Sequence, residues 1–309
     1  MIDSKRDISR RAFLKATAAG AAVLGMAGAP GLAGAAEEVD LAVVSGEPAA
    51  ATRKALEAVG GISRFVRKGQ RVVIKPNMSF AKSPDIAATT HPQVVAAVAQ
   101  ACAEAGAREI LVLDHTLQRA ELCLDRNGIR DACKGIPGTH VLALQDRKFF
   151  QEIKVPKGKV LERVEVLRDI LEDAVLISVP VAKSHSTTGV SLGLKGLMGL
   201  IWDRESFHSQ FDINQGIADL ATVIKPRLTV LDATRARASG GPGGPGEVKK
   251  PNLVVAGTDP VAVDSYGVGI VPWYGQSFKG RQVEHLLAAY QRGLGKIDVE
   301  KLRIYRGSV

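Results

Sequence analysis

The stretch AVLISVPVAKSHSTTGVSLGLKGLMG, residues 174–199, joins an apolar run to an unusually polar segment. Its first six residues are rich in β-branched side chains, which predicts a buried β-strand. The polar segment contains Lys183, His185 and, further on, Lys195. Because open α/β sheets bind ligands beyond the carboxyl ends of their strands, this transition predicts a binding loop.

Six further apolar runs of the same kind, separated mostly by helical patterns, predict a mostly parallel sheet flanked by helices. The runs are VDLAVV (39–44), RVVIK (71–75), EILVLD (109–114), HVLAL (140–144), RLTVLD (227–232) and NLVVAG (252–257). The helical patterns span residues 48–61, 91–106, 215–225, 259–270 and 281–293. The fold class expected from this alternation is α/β.

One region interrupts the alternation. Residues 149–167, FFQEIKVPKGKVLERVEVL, have the pattern of two strands around a Pro-Lys-Gly turn. We therefore expect a small antiparallel hairpin or lobe within residues 145–170, inserted into a single α/β domain that covers residues 36–309.

The first 35 residues have the pattern of an export signal. SRRAFLK (9–15) matches the twin-arginine motif, an Ala/Gly-rich stretch follows it, and residues 33–35 offer a small-x-small cleavage site. A permanent transmembrane anchor is the alternative, but repeated glycines and Pro30 interrupt the apolar stretch. The pattern predicts a periplasmic or secreted protein that meets the twin-arginine translocase and has no permanent membrane span.

Composition narrows the classes of partner and cofactor. The chain has 309 residues and a formal charge of +9, which falls to about +6 without residues 1–35. The basic residues are scattered and only 5% of residues are aromatic, which argues against a nucleic-acid surface. Cys102, Cys123 and Cys133 include no C-x-x-C pair, so no iron–sulfur cluster is expected. Cys123 and Cys133 could form a disulfide in an oxidising compartment, or all three thiols could be small buried side chains.

Polar side chains recur where the predicted strands end, and we expect them to converge on one crevice. The polar residues that follow the five strands are Lys75 and Asn77, Asp114 and His115, Lys183 and His185, Asp232, and Asp259. Helix capping is an alternative for the aspartates, above all for Asp259, which precedes Pro260.

The candidate catalytic residues are His185, Lys183 and Lys195. An imidazole can transfer a proton or bind a metal, and a desolvated lysine can compensate charge or act as a base. The candidate metal ligands are His185, His208 and Asp232, with a cap or surface role as the alternative for His208. Asp264 is a further carboxylate that could orient a metal or hydroxyl, with a purely structural role as the alternative. The candidate cofactor-binding residues are Lys75, Asn77, Thr89, Thr90, Ser186 and Thr187, of which Thr89 and Thr90 precede a helix whose amides could hold an anion.

Several familiar motifs are missing from the sequence. GGPGGPG (240–246) contains the spacing G-x-G-x-x-G, but its prolines prevent the helix that the dinucleotide motif requires, so we interpret it as a lid or loop beside the crevice. The phosphate loop and H-E-x-x-H are absent from the sequence, whereas the spacing G-x-S-x-G occurs at GVSLG (189–193).

The motifs VVIKPN, HPQVVAAVAQACAEAGA, VPVAKSHSTTGVSLGLKGLMG, LTVLDAT, GGPGGPGE and AGTDPVAVDSYG occur in this order. Over residues 40–270 the chain resembles the family called domain of unknown function 362. The resemblance implies an α/β domain, which some members combine with a ferredoxin-like cluster module. This chain lacks the cysteine repeat of that module, and it has Gly196 where relatives tend to carry asparagine.

These patterns predict an exported enzyme or redox accessory that binds an anionic small molecule or a metal-bearing cofactor at the strand ends. Three lysines near one histidine favour an anion, because like charges repel a divalent cation. The alternative is a periplasmic binding or carrier protein for an anion or metal without catalytic activity.

Overall fold

The computed structural model describes residues 39–309. The predicted signal peptide, residues 1–35, lies outside this part of the chain. The described strands are β1 (Leu41–Ser45), β2 (Arg71–Pro76), β3 (Glu109–Asp114), β4 (Thr139–Ala143), β5 (Phe150–Lys154), β6 (Arg163–Leu167), β7 (Ala174–Val179), β8 (Val181–His185), β9 (Gly189–Ser191), β10 (Leu228–Arg237), β11 (Val248–Lys249), β12 (Leu253–Gly257) and β13 (Ile304–Ser308).

The described α-helices are α1 (Pro48–Ala58), α2 (Pro92–Glu104), α3 (Ala120–Asn127), α4 (Ile129–Ala132), α5 (Gly193–Gly196), α6 (Glu205–Ser209), α7 (Ile213–Val223), α8 (Pro260–Val268) and α9 (Glu284–Gln291). Each of the five predicted helical patterns overlaps one of the long helices α1, α2, α7, α8 and α9, and α7 begins two residues before its pattern. Proline at the first turn and a capping side chain fix where α1, α2 and α8 begin.

The main sheet has the order β13-β1-β12-β10-β7-β2-β3-β4; β8 and β11 also pair with β10, and β9 pairs with β8. The pairs β10–β7, β7–β2, β2–β3 and β3–β4 are parallel, whereas β12 is antiparallel to both of its neighbours. The seven predicted strands all occur, and the prediction of an α/β fold with a mostly parallel sheet is confirmed.

The sheet is buried on both faces, which explains why its strands have continuous apolar sequences. Val73 and Leu111 face a core formed with α7, α8 and α9. Their neighbours Val72 and Ile110 face a second core formed with α1 and α2. The rigid layer between these cores holds the carboxyl ends of β2, β3 and β7 side by side.

The predicted hairpin is also confirmed, since β5 and β6 form a separate antiparallel pair. Asp219 of α7 fixes the loop between them. Its buried carboxylate accepts hydrogen bonds from the amides of Lys159, Val160 and Leu161 at 2.8–3.0 Å, and it also pairs with Arg292.

Residues 181–185 form β8, so the prediction of a loop after β7 is wrong. β10 is ten residues long and extends past the end of β7, which leaves a free edge that β8 fills. Pro180 separates the two strands. Because side chains alternate along a strand, Lys183 and His185 share one face of β8, and Ser184 lies on the other.

Asp259 does not reach the expected crevice. β12 is antiparallel to β10, so its carboxyl end lies at the opposite edge of the sheet. There the Asp259 carboxylate accepts hydrogen bonds from the amides of Val261 and Ala262 and caps α8. The alternative of a helix cap is therefore confirmed.

Cys102, Cys123 and Cys133 are all buried and free, so the possible Cys123–Cys133 disulfide is not formed in this structure. Within residues 39–309, no helix combines the length and apolar character that a membrane crossing requires.

Candidate functional site

A cavity of about 240 Å³ lies beyond the carboxyl ends of β2 and β3, against β8 and α5. It combines positively charged side chains with apolar ones. Its lining includes Lys75, Asn77, Ser79, Phe80, Leu117, Lys183, His185, Ser191, Lys195, Gly196, Met198, Gly199, Arg204, Glu205, His208 and Pro242. The structure thus brings together five of the predicted residues that carry a charge or an imidazole: Lys75, Lys183, His185, Lys195 and His208.

A buried ion pair forms the floor of this cavity. Lys75 Nζ lies 3.3 Å from Asp114 Oδ1 and donates to the carbonyl of Pro76 at 2.8 Å. Asp114 Oδ2 accepts hydrogen bonds from the Met78 amide and the Ser79 hydroxyl. Burial lowers the pKa of Lys75, and the adjacent Asp114 carboxylate opposes that shift.

Gly199 permits the backbone to approach this pair. A Cβ at position 199 would lie 2.7 Å from Lys75 Nζ and closer still to Asp114 Oδ1. The carbonyl of Gly199 accepts a hydrogen bond from the His115 amide, which ties the segment after α5 to the end of β3. The His115 ring itself lies outside the cavity lining, where it bonds the Ile201 carbonyl and stacks on Trp202.

Lys183 is held by a carbonyl and an aromatic ring. Its Nζ donates to the Ala88 carbonyl at 2.9 Å and lies 5.3 Å from the centroid of the Phe80 ring. Burial, followed by the positive charges of Lys75 and Lys195, lowers the pKa of Lys183 to about 7. This ammonium is therefore close to its titration point at neutral pH.

His185 is fixed in one tautomer by the backbone. Its Nδ1 accepts hydrogen bonds from the amides of Thr187 and Thr188, both at 3.3 Å, so the proton of the neutral ring is on Nε2. Burial, with the charge of Lys195 next, lowers the pKa of His185 to about 3. The exposed His208 ring stacks on it at 5.8 Å between centroids. This tautomer makes Nε2 a hydrogen-bond donor rather than a base or metal ligand.

Two cations of the cavity have no partner. Within residues 39–309, neither Lys195 Nζ nor the Arg204 guanidinium forms a hydrogen bond or ion pair, although both side chains are only partly exposed. Burial, with the charges of Arg204 and Lys75, lowers the pKa of Lys195 to about 8. Burial also lowers the pKa of Arg204.

Asp264 positions Lys195 and does not face a ligand. Its carboxylate is completely buried and accepts hydrogen bonds from the amides of Gly193 and Leu194, both at 2.8 Å, at the first residues of α5. Burial raises the pKa of Asp264 to about 7, and these two hydrogen bonds oppose that shift. The expectation that Asp264 orients a metal or hydroxyl therefore lacks a geometric basis.

Two of the predicted cofactor-binding residues, Asn77 and Thr90, form hydrogen bonds that hold neighbouring strands and loops together. Thr90 Oγ1 accepts from the Asn77 amide and donates to the Val179 carbonyl. Asn77 Oδ1 accepts from the Val181 amide at 2.9 Å, although Asn77 also lines the cavity. Thr89 is completely buried, and its hydroxyl lacks a hydrogen-bond partner within residues 39–309.

The start of α2 is not open to an anion. The His91 amide donates to Asp232 Oδ2, and His91 Nδ1 accepts from the Gln93 amide. Asp232 is completely buried and pairs with Arg235 at 3.0 Å. Ser186 and Thr187 are exposed at the turn between β8 and β9, outside the cavity lining.

The predicted metal ligands His185, His208 and Asp232 do not form a set. His185 and His208 are adjacent, but Asp232 is engaged by α2 and Arg235 and does not line the cavity. In the part of the chain that the structure describes, no group of three or more histidine, cysteine or acidic side chains is arranged to hold a metal ion.

The segment GGPGGPG lies against the cavity, as expected for a flanking loop. Pro242 contributes to the lining, and the Gly241 amide donates to Ser184 Oγ at 3.0 Å. Ser184, on the opposite face of β8 from Lys183 and His185, thus holds this loop in place.

Sequence reasoning missed Arg204, Phe80 and His285. Arg204 lies in WDR and Phe80 lies in KPNMSF, each close behind a segment already assigned to the site. This closeness in the sequence is the one signal that could have identified them. His285 of α9 is completely buried, and neither of its ring nitrogens has a partner in residues 39–309. Burial, with the charge of Lys195, lowers the pKa of His285 to about 3.

The fold and cavity define an α/β protein with a cationic site at the carboxyl ends of parallel strands. The model of the family described as domain of unknown function (DUF362) matches residues 72–269. The chain belongs to this family, and the resemblance inferred from its motifs is confirmed. The thylakoid-associated protein sll1697 of Synechocystis sp. is 28% identical over 229 residues, which cover 71% of this chain and 68% of that protein.

Two solved structures are similar at a lower level. A protein of Thermotoga maritima aligns with a TM-score of 0.43 and 16% identity, covering 66% of this chain and 55% of its own. The lactate racemase apoprotein of Thermoanaerobacterium thermosaccharolyticum aligns with a TM-score of 0.43 and 13% identity, covering 63% and 51%. The chain thus spans about half the length of these two structures.

The two glycines of the cavity wall should differ sharply in their tolerance of a side chain. Gly199→Ala should lower the free energy of unfolding by about 2 kcal/mol or more, because its Cβ would press on Lys75 and Asp114. Gly196→Ala is the matched control: its Cβ would meet only Pro180, at 3.9 Å, and stability should stay the same or rise by up to about 1 kcal/mol. Urea unfolding followed by tryptophan fluorescence measures both, and equal effects would contradict this account.

The buried Lys183 should make stability depend on pH. Its pKa is 10.5 when unperturbed and about 7 in the fold, so the unfolded chain holds a proton that the folded chain has released between these values. The contribution of unprotonated Lys183 to the free energy of unfolding is therefore fully present above pH 10.5 and is lost as the pH falls through 7. Between pH 8 and 10, the free energy of unfolding should rise with pH less steeply in Lys183→Met than in the wild type, by about 1.4 kcal/mol per pH unit.

Urea titrations of the folded protein at several pH values measure this slope. Lys225→Met, which removes an exposed lysine outside the cavity, is the control and should leave the slope unchanged. Equal slopes in the wild type and Lys183→Met would show that Lys183 is not desolvated.

Proposed function

We propose that this protein is exported and that it binds and chemically transforms a small organic anion in the cavity formed by Lys75, Lys183, Lys195 and Arg204. The observation that carries the proposal is the presence of two cations, Lys195 and Arg204, that have no hydrogen-bond or ion-pair partner in residues 39–309. Desolvated positive charge without a partner is destabilising unless a ligand offsets it.

The charge balance favours an anion. The cavity contains three lysines and an arginine, while the nearby acidic groups are the buried Asp114 and the exposed Glu205. The neutral His185 adds a donor through Nε2, because its Nδ1 is occupied by backbone amides. Carboxylate or phosphate oxygens accept such charge-assisted hydrogen bonds well.

The apolar wall and the size of the cavity narrow the class of ligand. Phe80, Leu117, Met198 and Pro242 supply apolar surface next to the cationic floor. The volume of about 240 Å³ is below the range typical of drug-sized ligands. A carboxylate with a short apolar body therefore suits this cavity better than a nucleotide does.

The expected chemistry is proton transfer by Lys195. Burial and neighbouring charges lower its pKa to about 8, so a fraction of the amine is unprotonated at neutral pH. In that fraction Arg204, which stays protonated, holds the anion, and the neutral amine can accept a proton. The amine could remove a proton from carbon beside a carbonyl group of the bound anion and then return it. The alternative, a carrier without catalytic activity, requires the same cavity and predicts binding alone.

The anion proposal is tested by calorimetric titration of the protein with benzoate and with its neutral analogue benzamide. Benzoate should bind and benzamide should not, because the carboxylate is what the cations recognise. Lys195→Met should weaken benzoate binding by about 10- to 100-fold, the range of one charge-assisted hydrogen bond, whereas Lys225→Met should have no effect. Affinity should fall as the pH rises through 8. Equal binding of both compounds would contradict the proposal.

Catalysis is tested with 2-oxobutyrate in D₂O, followed by proton NMR. A catalytic Lys195 should exchange deuterium into the carbon beside the carbonyl faster than buffer does, and Lys195→Met should abolish the excess rate. Tight binding of 2-oxobutyrate without any exchange would favour the carrier.

Export rests on the sequence alone, in the motif SRRAFLK (9–15). Replacing Arg10 and Arg11 together by lysine should retain the protein in the cytoplasm, because the translocase reads the arginine pair. Cell fractionation with immunodetection measures this, and unchanged export would contradict the twin-arginine route.

A further inference from the structure

A second and larger cavity lies between α8, residues 278–281 and residues 297–300. Its volume is about 520 Å³, and it shares no lining residue with the cationic cavity. Its walls are mainly apolar, with Tyr266, Ile270, Phe278 and Ile297 as the larger side chains. The volume falls within the range of small-molecule sites in proteins.

One polar side chain in this cavity has no partner. Ser265 of α8 is 2% exposed, and its hydroxyl lacks a hydrogen-bond partner within residues 39–309. Ser265 is among the lining residues. A buried hydroxyl without a partner is costly, and an acceptor atom of a ligand would satisfy it.

The charged groups around the cavity neutralise one another. Arg281 donates to both carboxylate oxygens of Asp298, at 2.6 and 2.9 Å, and Lys301 also pairs with Asp298. The exposed Lys279 and Glu300 at the rim carry opposite charges. This cavity therefore has no excess of either charge to select an ion, unlike the cationic cavity.

We propose that this cavity is a second binding site, for a neutral, ring-sized apolar molecule whose carbonyl oxygen accepts a hydrogen bond from Ser265. The apolar walls supply most of the affinity through burial of the ring. The single hydroxyl fixes the orientation of the ligand, since it is the one buried unpaired side-chain polar group among the residues that line this cavity.

The test uses 6-propionyl-2-(dimethylamino)naphthalene, a neutral fluorescent ketone whose emission shifts to the blue in apolar surroundings. Titration of the wild-type protein should give a saturable blue shift with a stoichiometry of one. Ser265→Ala, which keeps the shape of the cavity, should weaken binding about fivefold, the value of one neutral hydrogen bond. Absence of saturable binding to the wild type would overturn the proposal.

Gly269→Phe tests the position of the site. Gly269 lines the cavity with φ near −83°, and a Cβ there would meet only the Tyr266 carbonyl at 3.6 Å, so the backbone accepts a side chain that fills the space. This variant should lose at least tenfold in affinity for the ketone. Ketone affinity equal to wild type in Gly269→Phe would overturn the site, and equal affinity in Ser265→Ala would overturn the assigned hydrogen bond.

Gly196→Asn, in the cationic cavity, is the matched control and should leave ketone binding unchanged. Retention of the wild-type unfolding midpoint by Gly269→Phe shows that the variant is folded. Should Gly269→Phe fail to fold, Ser265→Ala still tests the proposal, because it removes only an unpaired hydroxyl.

Discussion

The ion pair between Lys75 and Asp114 is the contact on which the arrangement of the site depends. It links the carboxyl ends of two neighbouring parallel strands at 3.3 Å, with both side chains almost completely buried. Breaking such a pair leaves one charge buried without compensation, which costs several kcal/mol. Any residue larger than glycine at position 199 would touch both partners of the pair. The segment after α5 can therefore lie over the pair only when this position is glycine.

The other cations of the cavity are arranged around this pair without carboxylates of their own. Lys183 has a carbonyl and an aromatic ring, whereas Lys195 and Arg204 have no polar partner among residues 39–309. Desolvation and mutual repulsion lower the pKa of each of the three lysines. Selection for stability alone would pair or expose these groups, which is why the cavity supports a ligand-binding role.

Carboxylates hold the surrounding framework in the same manner, by accepting backbone amides. Asp264 fixes the first residues of α5 and thereby the position of Lys195, and Asp219 fixes the loop of the inserted hairpin. Both are completely buried on helices that cover one face of the sheet. The sequence left two roles open for Asp264, orienting a metal or hydroxyl and a purely structural role, and its contacts are those of the structural role. A single aspartate in a helical pattern does not indicate which backbone amides its carboxylate will accept hydrogen bonds from.

The sequence alone was sufficient for the seven strands with continuous apolar runs, for the long helices and for the hairpin, because local periodicity reports burial on one face or two. The sequence also named His185, Lys183, Lys195 and Lys75 as candidate site residues, and all four line the cavity. It could not identify β8, whose polar sequence becomes a strand only because β10 extends past β7. Nor could it show that β12 is reversed, that Asp232 is engaged by α2, or that Arg204 joins the cavity. Those features arise from contacts between residues far apart in the chain, and such contacts leave no periodic trace in the sequence.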